Sequence, residues 1–193
     1  MKITAIDGHP GTDRLVSALL DRYLAAAGAA GATVTRLNLR DLDYDPVLHV
    51  GYKGEQPLEP DLQRPQAAIT DCDHLVVGFP LWWGSQPALL KRFFDRVLLP
   101  GFAFKYHKDD PFWDRLLAGR SADVFITGDT PKFYLRLVHR SPVLRAMKGQ
   151  ILGFSGFKPI KQFYFAPVRK SAAKTRDRWL TKADARGRAI GSR

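Results

Sequence analysis

The sequence predicts an open α/β fold, a five-stranded parallel sheet in the order 2-1-3-4-5 with helices on both faces. Three observations predict it. Short apolar runs of strand length alternate with stretches of helical period, the pattern of a parallel sheet covered on both sides. Leu75 to Phe79 is apolar apart from one glycine, as a strand buried on both faces requires. The 193 residues contain no internal repeat and no shift in composition, so the chain reads as a single domain over 1–193. Five strands favour this order over a six-stranded dinucleotide-binding sheet.

Residues 2–7 read as the first strand, followed by a turn-rich loop, Gly8-His9-Pro10-Gly11-Thr12-Asp13. From about Arg14 to Ala27 a helix is expected. Leu15, Leu19 and Tyr23, with Val16, Leu20 and Leu24, recur at helical spacing, and Gly28 and Gly31 bound its end. Residues 32–39 form the second strand. Residues 47–60 hold glycine and proline without periodicity, a surface excursion of the kind that often carries function. A weak helix over 61–70 leads to the third strand, which Pro80 ends because it has no N–H for a ladder. After Trp82-Trp83-Gly84, Ser85 offers a helix cap and Pro87 a preset first turn. The next helix puts Leu89, Leu90, Phe93, Phe94, Val97 and Leu98 inside, with Lys91, Arg92, Asp95 and Arg96 on the other face. Residues 102–106 alternate like a short exposed strand. Residues 121–127 are the fourth strand of the sheet, and helical pieces at 131–139 and 142–150 follow it. The last strand spans 162–168 and the last helix about 171–189.

Net charge is +11, and residues 169–193 supply +7 of it through nine Lys/Arg against Asp177 and Asp184. Such a tail suits an anionic surface or nucleic acid, or it is a solvated terminal helix with a frayed end. No nucleic-acid-binding motif accompanies the charge, so that class is set aside. The single cysteine, Cys72, excludes an intramolecular disulfide. No apolar run approaches the ~20 residues of a membrane span, and Met1 leads straight into a strand rather than a signal sequence. A cytoplasmic location is the expectation.

In this sheet order, the loops after strands one, three and four lie side by side at the carboxyl edge, where such sheets bind ligands. Gly8–Asp13 precedes a helix, whose unpaired N–H groups suit a phosphate, and His9, Thr12 and Arg14 could add donors. It could equally be an ordinary turn. It is not a P-loop and lacks Gly-x-Gly-x-x-Gly, which disfavours a dinucleotide bound as in a Rossmann enzyme. In Pro80–Gly84, Trp82 and Trp83 can stack on a planar ring, or serve as a lid or subunit contact. In Thr127–Thr130, Asp129 and Thr130 offer an acceptor and a hydroxyl, with Tyr134 and His139 close behind. There is no Ser-His-Asp order, metal-ligand cluster or carboxylate pair. A cofactor would have to carry any reaction.

Gly8-His9-Pro10, the block Phe79-Pro80-Leu81-Trp82-Trp83-Gly84 with Pro87-Ala88-Leu89-Leu90-Lys91, and Asp95-Arg96-Val97 resemble the flavodoxin-like NAD(P)H:quinone oxidoreductases. Pro100-Gly101-Phe102-Ala103-Phe104, Leu116-Leu117 with Gly119-Arg120, and Asp129-Thr130-Pro131 are similar to the bacterial members, of flavodoxin-2 type. The resemblance runs from about residue 3 to 180. It implies a non-covalent flavin, FMN or FAD, with NAD(P)H as reductant, and ping-pong two-electron reduction of quinones or similar flat acceptors. It implies that His9, Thr12, Asp13, Arg14 and Leu15 hold the flavin phosphate. Pro80, Leu81, Trp82, Trp83 and Gly84 would lie along the isoalloxazine, and Thr127, Gly128, Asp129 and Thr130 would meet its pyrimidine edge. Tyr134 corresponds to a tyrosine that stabilises reduced flavin or substrate, and His139 falls near the place of its partner histidine; these are the expected catalytic residues.

Residues 47–60 and 102–112 are the expected place for the adenylate half of FAD. A homodimer with the site at its interface is also implied, and exposed aromatics at 79–83 and 102–106 would suit one. Two residues depart from the family pattern. Arg14 stands where relatives usually have serine, and Gly128-Asp129 where many have paired glycines. The competing implication is a flavin- or nucleotide-sensing accessory subunit of a membrane transporter, docked peripherally through the basic tail. Turnover by the isolated protein separates the two.

Overall fold

The computed structural model describes residues 1–193. Its strands in chain order are β1 (Lys2–Asp7), β2 (Thr33–Asn38), β3 (His74–Pro80), β4 (Phe104–Tyr106), β5 (Trp113–Arg115), β6 (Ser121–Thr127) and β7 (Ile160–Phe165). The helices are α1 (Leu15–Ala29), α2 (Pro60–Asp71), α3 (Ala88–Val97), α4 (Lys132–Leu137), α5 (Pro142–Arg145), α6 (Leu152–Ser155) and α7 (Ala173–Gly191). β1, β2, β3, β6 and β7 form one parallel sheet in the order β2-β1-β3-β6-β7, which is the expected 2-1-3-4-5. β4 and β5 stand apart as an antiparallel hairpin.

β3 is buried at every residue, which is why its sequence is apolar without alternation. On one face α1 and α7 cover the sheet, with Leu19, Leu20, Tyr23, Phe125, Phe165 and Ile190 in a common core. On the other, α2, α3 and the 142–157 region bury Leu62, Ile69, Phe79, Phe93, Met147 and Phe157. α7 lies so close to α1 that a Cβ at Gly187 or Gly191 would overlap the backbone of Tyr23 or Ala27. Inside that layer Asp123 is fully buried and receives two hydrogen bonds from Arg186, at 2.7 and 2.9 Å. The basic terminal segment is therefore a docked helix whose end, Ile190 and Gly191, is buried rather than frayed.

Several expectations need correction. Pro80 is the last residue of β3, and the ladder continues past it through the Leu81 N–H to Thr127 O. Ser85 does not cap α3: its hydroxyl donates to the Gln86 side chain, and Pro87 occupies the cap position. Arg96 is buried, not solvent-facing. Its guanidinium binds Glu59 at 2.8 Å and donates to the carbonyls of Asp45 and Pro57, so it goes inward where residues 45–59 supply acceptors. Residues 102–106 do not alternate, because Ala103 and Phe104 are both buried, and their strand pairs with β5, which has too little pattern to read. Phe79 and Phe104 are core residues and not exposed aromatics. The last strand lies two to three residues earlier than expected, and the 142–150 piece continues through a π-helical turn (Ala146–Ile151) to Ser155.

Candidate functional site

The carboxyl ends of β1, β3 and β6 open on one cavity of about 290 Å³. His9, Arg14 and Leu15 reach it from the first loop, Pro80, Leu81 and Trp82 from the second, and Thr127, Gly128, Asp129 and Thr130 from the third. The convergence follows from the strand order, since β1 and β6 flank β3.

Asp7, buried at the end of β1, organises the first loop. Its carboxylate accepts from the His9 N–H at 3.0 Å, the Ser17 hydroxyl at 2.6 Å, and Arg36 and Arg40 at 2.7 and 3.3 Å. His9 Nδ1 in turn accepts the Gly11 N–H at 2.8 Å, which puts the ring proton of the neutral imidazole on Nε2. Burial and the Arg14 charge hold the His9 pKa below its ordinary value against the pull of Asp7, so the ring stays neutral at neutral pH. Trp82 meets this ring edge-on, with centroids 5.7 Å apart.

No side chain caps α1, its first turn holds no acid, and the N–H groups of residues 12–17 have no acceptor in the protein. The Arg14 guanidinium folds over Gly11 and has no carboxylate partner. Unsatisfied N–H groups, the positive end of a helix and an unpaired arginine form a donor set that fits a phosphate.

The second loop is a tight turn closed by reciprocal bonds between Trp82 and Ser85, at 3.0 and 2.9 Å, with Trp83 at φ +50° and Gly84 at φ +77°. That turn sends Trp83 fully into solvent, and neither it nor Gly84 lines the cavity. Thr12 and Asp13 belong to an adjoining open cleft of about 730 Å³, which shares Arg14 and Leu15 with the first. Arg36, Arg40 and Arg176 line that cleft too, and Arg176 at the start of α7 is not paired with a carboxylate. Tyr134 and His139 sit edge to face at 5.1 Å on and just after α4, outside the lining of either space. Residues 47–60 and 102–112 border separate spaces around Tyr52, with Phe104 and Tyr106 beside it in one of them.

Two further residues line the first cavity. Val16 is the second residue of α1, within reach of a sequence argument. Val168 lies beyond β7, where an expected strand over 162–168 concealed a loop at the same sheet edge. Arg36, Arg40 and Arg176 come from distant elements and carry no local signal.

A family model described as a flavodoxin-like fold matches residues 1–186. Human ribosyldihydronicotinamide dehydrogenase [quinone] is 35% identical over 142 residues, 70% of this chain and 59% of that protein. An uncharacterized NAD(P)H oxidoreductase of Escherichia coli, YcaK, is 31% identical over 127 residues, 61% of this chain and 65% of that one. The matched stretch thus spans less than two thirds of either relative. Among solved structures, Smu.1420 of Streptococcus mutans superimposes with a TM-score of 0.81 at 28% identity, covering 98% of this chain and 100% of that one. An NAD(P)H:quinone oxidoreductase from Methanothermobacter marburgensis shares the fold, with a TM-score of 0.82 at 22% identity and 98% coverage of both chains.

Proposed function

The chain belongs to the flavodoxin-like fold family, and from that premise we propose that it is a flavin-dependent NAD(P)H oxidoreductase reducing quinones or similarly flat acceptors. One observation carries the reading: a single cavity unites an unsatisfied phosphate-type donor set at α1 with Trp82 and Pro80 from the β3 loop and the Thr127–Thr130 loop. A flavin, when bound, supplies hydride acceptance from the nicotinamide and two-electron delivery to the acceptor.

Within this proposal Arg14, His9 and the N–H groups of residues 12–15 hold the cofactor phosphate. Pro80, Leu81 and Trp82 provide an apolar wall for the ring, and Trp83 and Gly84 shape the turn that carries it. The N–H groups of Asp129 and Thr130, which have no acceptor in the protein, face developing negative charge. Reductant and acceptor use the same cavity in turn, a ping-pong order that needs few acid–base groups. Tyr134 and His139, on and just after α4 and outside the cavity lining, would act only on a substrate that extends beyond the cavity toward α4. The accessory-subunit reading finds no support among the relatives.

The adjoining arginine-lined cleft favours FAD over FMN, because it offers room and, in Arg14 and Arg176, two cations without a carboxylate partner next to the phosphate position. A homodimer is part of the proposal as well. Trp83, Phe112, Phe133 and Leu137 leave large apolar side chains exposed, as a subunit contact would use. Sedimentation should give about twice the 21.7 kDa chain mass, and a monomer at micromolar concentration would remove the dimer.

Reconstitution with FMN or FAD in parallel, followed anaerobically by absorbance, tests the main reading. The expected result is a bound-flavin band that bleaches on NAD(P)H and returns with benzoquinone. Arg176→Ala should weaken FAD about tenfold and leave FMN unchanged, a loss at the low end for charge-assisted bonds. Failure to take up either flavin would sink the proposal, and uptake without bleaching would remove the enzyme.

A further inference from the structure

The Thr127–Thr130 loop is fastened almost wholly by the last strand and the segment after it. Gly128 N–H donates to Phe165 O at 3.1 Å, Val168 N–H to Gly128 O at 2.9 Å, and Arg169 N–H to Asp129 Oδ1 at 2.6 Å. The Leu81 N–H takes Thr127 O at 2.7 Å. A side-chain donor completes the set: the Tyr164 hydroxyl donates to Thr130 O at 2.8 Å. The carbonyls of Thr127, Gly128 and Thr130 are thereby all occupied. The N–H groups of Asp129 and Thr130 are the donors left over, on residues that line the cavity.

Tyr164 is built into this arrangement. Its ring is half-buried against the core, and burial pushes its pKa up to about 12, so the hydroxyl remains a donor across the physiological range. Gly128 is tied to it sterically. A Cβ there would lie 2.8 Å from the Tyr164 oxygen, closer than real Cβ contacts come, and a tight 3.2 Å from Leu81 Cβ. A side chain at position 128 would thus displace the hydroxyl from Thr130.

We infer that Tyr164 is a positioning residue of the site: by holding the Thr130 carbonyl it keeps the free N–H groups of Asp129 and Thr130 set toward the charge that a flavin gains on reduction. This rests on the flavin reading above. Oriented dipoles matter most when they need no reorganisation as charge appears. Loosening the loop therefore weakens the reduced form more than the oxidised form, and does so without any direct contact between Tyr164 and the ligand.

The test is the midpoint potential and the oxidised-flavin Kd of the reconstituted protein, compared between wild type and Tyr164→Phe. Oxidised-form affinity should stay within about twofold while reduced-form affinity falls about tenfold, a shift of about 30 mV to more negative potential for a two-electron couple. Gly128→Ala, which evicts the hydroxyl while keeping it in the molecule, should give the same shift. The double variant should add nothing to either single one. Equal losses in both redox states, or an unchanged potential in a folded Tyr164→Phe, would overturn the inference while leaving the flavin reading intact. If Tyr164→Phe does not fold, Gly128→Ala decides by the potential read together with the oxidised-flavin Kd: because Gly128 itself lines the cavity, an equal loss in both redox states overturns the inference, and a loss confined to the reduced state supports it. A wild-type protein that binds no flavin overturns both.

Discussion

Arg14→Glu is expected to lose flavin binding by on the order of a hundredfold, and Arg14→Ala by about tenfold, with no loss of fold. The guanidinium is exposed, lies over Gly11 beside His9, and has no carboxylate partner, so removing it breaks nothing inside the protein. On the proposed reading, what it removes is a charge-assisted contact to the cofactor phosphate, worth about 1.5 kcal/mol at the exposed end of the range. Glutamate adds repulsion between two anions at the same place. The helix itself argues against a trivial loss through unfolding. An acidic residue at the start of α1 interacts favourably with the helix dipole, so Arg14→Glu should leave the melting temperature unchanged or slightly raised. Fluorescence titration of flavin alongside thermal melts separates the two effects. Wild-type flavin affinity in Arg14→Glu would remove Arg14 from the site.

Arg186→Ala should destabilise the protein by about 3–5 kcal/mol, the usual result of stripping one partner from a buried ion pair. Asp123 would stay fully buried with only the Tyr23 hydroxyl at 3.2 Å and His74 Nε2 at 3.5 Å to meet its charge. The pair joins β6 to α7, so its loss should release the C-terminal helix first, read as hydrogen exchange along 173–191. The pH dependence has a definite sign. Burial pushes the Asp123 carboxyl up, but His74 and Arg186 outweigh it and hold the pKa below its ordinary value. A lowered native pKa adds stability that is present above about pH 4 and lost as pH falls through the native value. Wild-type stability should therefore drop on acidification below about pH 4, and the variant should show a shallower slope there. A variant as stable as wild type in urea would show that the ion pair does not hold the helix.

The convergence of the three loops was legible because it depends on strand order, and strand order follows from short apolar runs alternating with helical ones. Resemblance to a known family pointed to the same residues through the Pro80–Gly84 block. Details that depend on how a turn closes were not legible. Trp82 and Trp83 are identical and adjacent in sequence, yet a left-handed turn at Trp83 and Gly84 puts one indole beside His9 and the other in solvent. Thr12 and Asp13 likewise face the second cleft rather than the first, because the helix start stands between the two.

The sequence by itself determined the alternation of strands and helices, the buried central strand, the amphipathic α3 and the place along the chain of each site loop. All of these are local in origin, set by side-chain period, by proline and glycine, and by unpaired groups at a helix start. Only the tertiary structure decided where isolated polar residues go. Arg96 reads as a surface residue by period and is buried because Glu59 and the Pro57 carbonyl of the excursion, with the Asp45 carbonyl just before it, meet its guanidinium. Arg186 reads as part of a solvated basic tail, yet it neutralises a carboxylate 63 positions away. Tyr164 reads as one more strand residue, and its hydroxyl reaches the site loop only because β7 lies beside β6. A charged or hydroxyl-bearing side chain goes wherever partners satisfy it, and those partners come from segments far along the chain.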